Sequence, residues 1–245
     1  MNEIRHHLGE TYAWFLTRGC AITVNGAAVT PQTFENWAFP PDFAPRSAVF
    51  DVEIAPNRKV KVAITGGLIR DRDPEQENYG VYFYCNNRLI VKELKAREAG
   101  YFVTAEAGVP HPDASLCRVV VRLQGAAQLM PWNSSKTAIN FDHSLFQHVR
   151  PALIQLTSHY SSLSRRFKDD WDGKVLAYAS GTIETVEPEN VTVKNPLVLA
   201  PLPRVNKLQV EKLKSLNRTQ IHDQPWTLGL VETMAAVEVI GPAAF

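Results

Sequence analysis

The sequence lacks several features that would place it in a class of proteins at once. Its 245 residues contain no apolar run near the roughly 20 residues that a membrane-spanning helix needs. The first residues, MNEIRHHLGE, lack the apolar core of a secretory signal. An excess of one charge is also missing, because 26 Lys and Arg residues balance 25 Asp and Glu residues. The overall charge therefore favours neither nucleic acid nor a membrane as partner. We expect a cytoplasmic protein, because its three widely spaced cysteines suggest reduced thiols.

Cysteine is scarce, and its spacing suggests neither disulfides nor metal binding. Cys20, Cys85 and Cys117 are far apart in apolar, strand-like surroundings, so we expect buried, reduced thiols. The seven histidines show no spacing typical of a metal site, and no G-x-S-x-G nucleophile motif occurs. The sequence therefore predicts no metal site and indicates no catalytic residue.

Motifs that hold a nucleotide are missing as well. There is no G-x-x-x-x-G-K loop, and the glycine cluster ITGGL at residues 64–68 has no acidic residue beside it. A phosphate-binding cradle needs several converging backbone N–H groups, usually at a helix N-terminus. We therefore expect no cofactor to be bound by this chain alone.

The features that are present begin with alternating apolar residues, which predict β-hairpins. Their turns are expected at Asn25-Gly26, Pro56-Asn57 and Asn86-Asn87. A further strand, residues 117–123, places three apolar side chains inward and two arginines, Arg118 and Arg122, outward. Residues 31–47 carry four prolines and four aromatic residues, and this composition predicts an ordered, packed loop.

Helical periodicity appears at two places. At the N-terminus one face collects five apolar residues before a stop at Gly19, and these are Ile4, Leu8, Tyr12, Phe15 and Leu16. A longer apolar stripe runs from Leu145 to Phe167, with Asp142 as N-cap and an end at Trp171. Pro151 predicts a kink or two abutting helices near Arg150.

The order of these elements predicts an α+β fold, in which a mostly antiparallel sheet carries a long C-terminal helix packed on it. Near residue 173 the sequence pattern changes from a long helical stripe to short strand-like and proline-rich segments. We therefore predict one domain at 1–172 and a smaller extension at 173–245. The extension is predicted to hold short strands between residues 175 and 193 and helices at 207–217 and 226–240.

Residues 8–171 resemble the transducer domain of the GHKL ATPases, which include gyrase, heat-shock chaperones, histidine kinases and MutL, and above all MORC-like bacterial members. The resemblance lies in the segments LGETYAWFLTRGCAITVNG, GVYFYCNNRLI, CRVVVRLQG and NSSKTAINFDHSLFQHVRPALIQLTSHY. It implies a ribosomal-protein-like fold that follows an ATP-binding domain. It also implies a loop lysine, here Lys136, that contacts the terminal phosphate of the ATP in that domain.

The resemblance does not extend to the ATP-binding motifs. The Glu/Asn helix, the Asp-x-Gly-x-Gly turn and the glycine-rich lid of the family are not found in this sequence. The resemblance therefore implies ATP and magnesium only in an intact assembly, with an ATP-binding domain or chain as partner. We expect no ATP hydrolysis by this chain alone.

Each candidate site residue has a functional and a plainer interpretation. Lys136 is either a mobile cation that reaches a phosphate or a solvated loop lysine. The preceding Asn133, Ser134 and Ser135 either donate to that phosphate or form the turn that enters the helix.

The arginines of the predicted sheet are the second group of candidates. Arg88 either contacts nucleic acid or a partner, or is an ordinary turn arginine. Arg118 and Arg122 either form a basic face over a DNA backbone or lie on a solvated sheet face.

Two functions follow from these candidates. The first is a transducer module that couples ATP binding in another domain to conformational change, and DNA handling or antiphage defence would fit the resemblance. The alternative is a stand-alone scaffold that uses the sheet at 48–124 to bind nucleic acid or protein, without a nucleotide. A second copy of the chain is a further partner to be tested.

Overall fold

The structure, a computed structural model, describes residues 2–34, 37–39, 43–69, 78–101, 114–167, 184–186, 190–194 and 199. Its helices are α1 (Asn2–Thr11), α2 (Ala13–Leu16) and α3 (Ser144–Phe167). Its strands are β1 (Thr23–Val24), β2 (Ala27–Ala28), β3 (Trp37–Phe39), β4 (Arg46–Ala55), β5 (Arg58–Leu68), β6 (Gly80–Cys85), β7 (Arg88–Leu94), β8 (Cys117–Gln124) and β9 (Glu184–Val186). Short 3₁₀ turns lie at Arg97–Ala99 and Ala127–Leu129.

Five strands form one mixed sheet in the order β4-β5-β8-β6-β7. The hairpins β4-β5 and β6-β7 lie at its two sides, and β8 joins them by pairing antiparallel with β5 and parallel with β6. The long helix α3 packs on this sheet. The predicted α+β fold with a mostly antiparallel sheet is therefore confirmed.

The predicted hairpin turns are confirmed, and asparagine explains them. Asn25 and Gly26 adopt φ values of 53° and 79° between β1 and β2. Asn57 has a φ of 61° between β4 and β5, and Asn86 and Asn87 have φ values of 48° and 65° between β6 and β7. Asparagine tolerates this left-handed region better than most residues, so each turn is encoded locally.

One face of the sheet packs against α3. A Cβ added to Gly66 would lie 3.1 Å from Leu156 Cβ of α3, so Gly66 faces the helix. Val119 pairs with Gly66, and the residues that alternate with it along β8 share its face. The predicted inward residues of β8 are confirmed, since all are at most 1% exposed: Val119, Val121 and Leu123.

The opposite face of the sheet is covered by the segment that precedes β4. The neighbouring Gly67 points away from α3, and a Cβ there would overlap Trp37 Cδ1. Trp37 is 1% exposed and Phe39 is also buried, whereas Phe43, farther along the segment, packs against Phe167 of α3 at 5.9 Å between ring centres. The predicted packed loop at 31–47 is confirmed for its described residues, which also contain the short strand β3.

Helix α3 runs without a break from Ser144 to Phe167, with Pro151 inside it. Of the two predicted alternatives near Arg150, two abutting helices are therefore wrong, and a kink stays a prediction. Proline removes one hydrogen bond, but the apolar stripe on both sides of it is buried and holds one continuous helix. The helix begins after His143, whose Nδ1 accepts from Leu145 N–H at 3.2 Å, so His143 replaces the predicted Asp142 cap. Trp171, the predicted end, lies outside the described residues.

The buried side of α1 differs from the predicted one. Ile4 of the apolar stripe is 54% exposed, whereas α1 buries Gly9, Glu10 and Thr11. Glu10 accepts from Lys92 Nζ of β7 at 2.7 Å. A Cβ on Gly9 would overlap Thr30 O, so a close backbone approach and an ion pair decide which side of α1 faces inward.

The predicted domain boundary at residue 173 lies outside the described residues. The described parts of the extension pair with the first domain: β9 pairs with β3, and Lys194 N–H donates to Ser47 O at 2.7 Å. The helices predicted at 207–217 and 226–240 also lie outside the described residues. Among the helices that are described, none is both long and apolar enough to cross a membrane.

Candidate functional site: the Lys136 loop

The Lys136 loop, residues 131–140, connects the turn after β8 with the start of α3. Its base is closed by the bridge between Trp132 and Ile139 and by the bond from Asn140 N–H to Pro131 O at 2.7 Å. The residues between, 134–138, are exposed. The sequence thus places an exposed, closed loop directly before the long helix.

Asn133 organises this loop with its side chain. Its Oδ1 accepts from the backbone N–H groups of Thr137 at 2.8 Å and Ala138 at 3.2 Å. Its own N–H donates to Ala138 O at 3.0 Å. The structure places Asn133 as a turn-forming residue, while a direct phosphate contact stays a prediction. Ser134 and Ser135 are exposed, and Ser135 Oγ lies 2.9 Å from Thr137 Oγ1.

Lys136 lies at the exposed end of the loop in a left-handed conformation, with a φ of 57°. Its N–H donates to Asn133 O at 3.0 Å, and its Nζ lies 4.8 Å from the centre of the Trp132 ring. Within the described part of the chain, no carboxylate forms an ion pair with this ammonium. The Lys136 ammonium therefore lies at the surface in a cation–π contact with Trp132, on an exposed loop.

Hydrogen bonds join the loop to the first turns of α3. Asn140 Oδ1 accepts from Asp142 N–H at 3.0 Å, and His143 caps the helix as described above. Gln147 Nε2, one turn into α3, donates back to Phe141 O at 2.7 Å. These bonds connect the base of the loop with the first turns of α3.

Arg118 lies in surroundings opposite to those the sequence predicted. It is 0% exposed, so its predicted outward position is wrong. Its guanidinium donates to Phe34 O at 2.9 Å and to Asn78 O at 3.1 Å, and it lies 5.3 Å from the centre of the Tyr82 ring. Because Phe34 and Trp37 cover this face, Arg118 is buried and donates to backbone carbonyls of the neighbouring segments.

Arg122 and Arg88 are half-buried and lie on aromatic rings. The guanidinium of Arg122 is 4.9 Å from the Tyr84 ring centre, and that of Arg88 is 5.5 Å from the Tyr12 ring centre. With Arg118 buried, the three arginines do not form one exposed basic face. A partner contact by Arg88 or Arg122 stays a prediction.

The thiols offer little for nucleophilic chemistry. Burial raises the pKa of Cys85 to about 12 and that of Cys117 to about 11, so both stay protonated at neutral pH. Cys20 is exposed, which corrects its predicted burial, because it follows the turn after α2 rather than lying in a strand. Over the residues that the structure describes, no group of His, Cys, Asp and Glu side chains could hold a metal ion.

Sequence reasoning missed two residues of structural importance near these sites. Trp132 lies four positions before Lys136 and contacts its ammonium. Trp132 and Lys136 lie in a loop and not in a helix, so their i,i+4 spacing did not indicate a contact. Glu10 was missed because a carboxylate beside an apolar stripe is typical of a solvated helix face.

No protein-family model matches this chain, and no curated protein matches its sequence. Among solved structures, the chain is similar to the crystal structure of the B subunit of DNA gyrase from Myxococcus xanthus, with 16% sequence identity and a TM-score of 0.28. The match covers 45% of this chain and 34% of the gyrase chain, so this chain spans about a third of that structure.

Proposed function

We propose that this chain is a transducer module in which Lys136 responds to the terminal phosphate of a nucleotide held by a separate ATP-binding domain or chain. The observation that carries the proposal is the exposed Lys136 ammonium on a loop that is hydrogen-bonded to the start of α3. The family resemblance of the NSSKTAINFDHSLF segment supports the same role.

The chemistry of the loop suits sensing better than holding a nucleotide. Lys136 is the only charged residue in the segment 131–140. A charge-assisted bond from one ammonium to phosphate contributes about 1.5–3 kcal/mol, or about tenfold to a hundredfold in an equilibrium constant. That is enough to shift a two-state equilibrium, but a nucleotide site needs many more donors.

Helix α3 supplies a rigid element for the relay. Its 24 residues correspond to a length of about 36 Å at 1.5 Å per residue. Its buried stripe packs across β5 and β8, so the helix would respond as a unit to a movement at its first turn. A signal that starts at Lys136 would thus reach the far end of the sheet near Phe167.

The test is the substitution Lys136→Ala in the ATPase assembly that contains this chain. We expect ATP-dependent turnover to fall by about tenfold to a hundredfold, while the melting temperature of the chain alone stays nearly unchanged. Lys59→Ala, at an exposed lysine of β5, is the matched control and should leave turnover intact.

Two results would contradict the proposal. Unaltered turnover in Lys136→Ala would remove the sensing role. Tight ATP binding by the isolated 245 residues, measured by calorimetry, would show that the chain holds the nucleotide itself.

A further inference from the structure

The Trp132 ring gives the Lys136 ammonium a defined position. The Trp132 side chain is half-buried and packs against the hydrophobic core, so its ring is fixed in place. Lys136 Nζ lies 4.8 Å from the centre of this ring. An ammonium over an indole face is attracted by the negative potential of the π-system, and indole is the strongest of the aromatic partners.

Hydrogen bonds fix the backbone of the loop, whereas the side chain of Lys136 can rotate. The loop is closed by the Trp132–Ile139 bridge, by the Asn133 side chain and by Asn140 N–H on Pro131 O. Lys136 N–H is also bonded, to Asn133 O. A lysine side chain can redirect its charge by rotation about its own four-carbon stem, without breaking any of these bonds.

We infer that Trp132 is the resting site of the Lys136 ammonium and that the indole ring competes with phosphate for it. The phosphate part of this inference rests on the proposed function. Trp132 thereby regulates the site: it holds the cation in one known place and sets the phosphate concentration at which the cation leaves.

The size of the effect follows from the two interactions. An exposed cation–π contact of this kind changes an equilibrium by about two- to fivefold, which is less than the gain from a charge-assisted bond to phosphate. The ammonium therefore leaves the ring when it binds phosphate. Removing the ring should lower the phosphate concentration that half-saturates Lys136 by that same factor of about two to five.

The experiment follows the side-chain signals of Lys136 by NMR in the full chain, with lysine labelled with ¹³C at Cε. In the unsubstituted protein we expect the Lys136 Hε signal to be shifted upfield by the indole ring current. In Trp132→Leu the signal should return to the position of the exposed lysines. Lys136→Arg identifies the signal, and Trp14→Leu is the control, because that tryptophan holds Arg18 instead.

A titration with inorganic tripolyphosphate at constant ionic strength tests the competition. In the unsubstituted chain the upfield Hε signal should move to the exposed position. The midpoint is read in every variant from the change that phosphate binding itself causes in the ¹³Cε shift of Lys136, and in Trp132→Leu it should be about two- to fivefold lower than in the unsubstituted chain. Trp132→Phe should give an intermediate midpoint, and it replaces Trp132→Leu if that variant does not fold. An unshifted Lys136 signal, or equal midpoints in all variants, would overturn the inference.

These outcomes are separate from the test of the proposed function. If the signal and midpoints behave as expected but Lys136→Ala leaves turnover unchanged, the relay is wrong and the indole resting site stands. If turnover is lost while the lysine signal is never shifted, the relay stands and the role of Trp132 is wrong.

Discussion

Arg118 and Lys136 carry the same charge in opposite surroundings. Arg118 lies in the middle of the sheet with no exposed surface, and its guanidinium donates to two backbone carbonyls. Lys136 lies at the end of an exposed loop, and its ammonium rests on one aromatic ring. The comparison shows that a basic residue in an alternating strand is not by itself a sign of an outer, partner-binding face.

The difference has a physical reason. Phe34 O and Asn78 O belong to half-buried residues outside the five strands of the central sheet. Each accepts a hydrogen bond from Arg118, because a carbonyl shielded from water is costly without a donor. The planar fork of an arginine can donate to both of them at once. A lysine ammonium is more strongly hydrated, which suits a position where it must reach and release an anion.

The largest effect is expected for Arg118→Met, which removes the buried member of this pair of cations. Methionine fills much of the volume but leaves Phe34 O without this donor and also removes a donor to Asn78 O. We expect the free energy of unfolding to fall by about 3 kcal/mol, as measured by urea denaturation. Arg97→Met, at an exposed arginine, is the matched control and should change it by less than about 0.5 kcal/mol.

If Arg118→Met were as stable as the control, the guanidinium would not hold the covering segment. The comparison with Lys136 would then lose its basis, and Arg118 would again be a candidate for a partner contact.

A smaller effect is expected for Gly67→Ala, which tests the packed layer that buries Arg118. The new Cβ would overlap Trp37 Cδ1 and lie 2.8 Å from Pro45 Cβ, so overpacking should cost about 1–3 kcal/mol of unfolding free energy. Gly66→Ala on the α3 face is the adjacent control. Its new Cβ would lie 3.1 Å from Leu156 Cβ and 3.2 Å from both Leu156 Cδ2 and Tyr160 Cδ2. These contacts are tight but do not overlap, so we expect the smaller loss there. Equal losses in thermal or urea unfolding would mean that the two faces are packed equally tightly.

The smallest effect is expected for Asn133→Ala in the exposed Lys136 loop. The substitution removes the acceptor for Thr137 N–H and Ala138 N–H, and both donors can turn to water because their residues are exposed. We expect a loss of about 0.5–1.5 kcal/mol in unfolding free energy, together with faster amide exchange at these two positions. Ser134→Ala, next in the loop, should change neither. Unchanged exchange in Asn133→Ala would show that the backbone alone holds the loop.

The hairpins could be predicted because their signals are local. Asn25-Gly26 and Asn86-Asn87 favour left-handed turns in almost any context, and the alternating residues on both sides fix which side chains share a face. The loop of Lys136 was found from its place between a strand and a helix. The contact of Lys136 with Trp132 was not predicted, because it depends on the direction that the left-handed backbone at Lys136 gives to its side chain.

The sequence by itself determined the local turns, the buried stripe of α3 and the α+β order of elements, because each depends on residues that are near one another in the chain. Only the tertiary structure decided the second face of the sheet, since Phe34 and Trp37 are far from β8 in sequence and cover Arg118 only after folding. It also decided the inward side of α1, where the ion pair of Glu10 with Lys92 joins residues 82 positions apart. Burial is a property of the assembled layers, and alternation along one strand cannot show whether its second face will be covered.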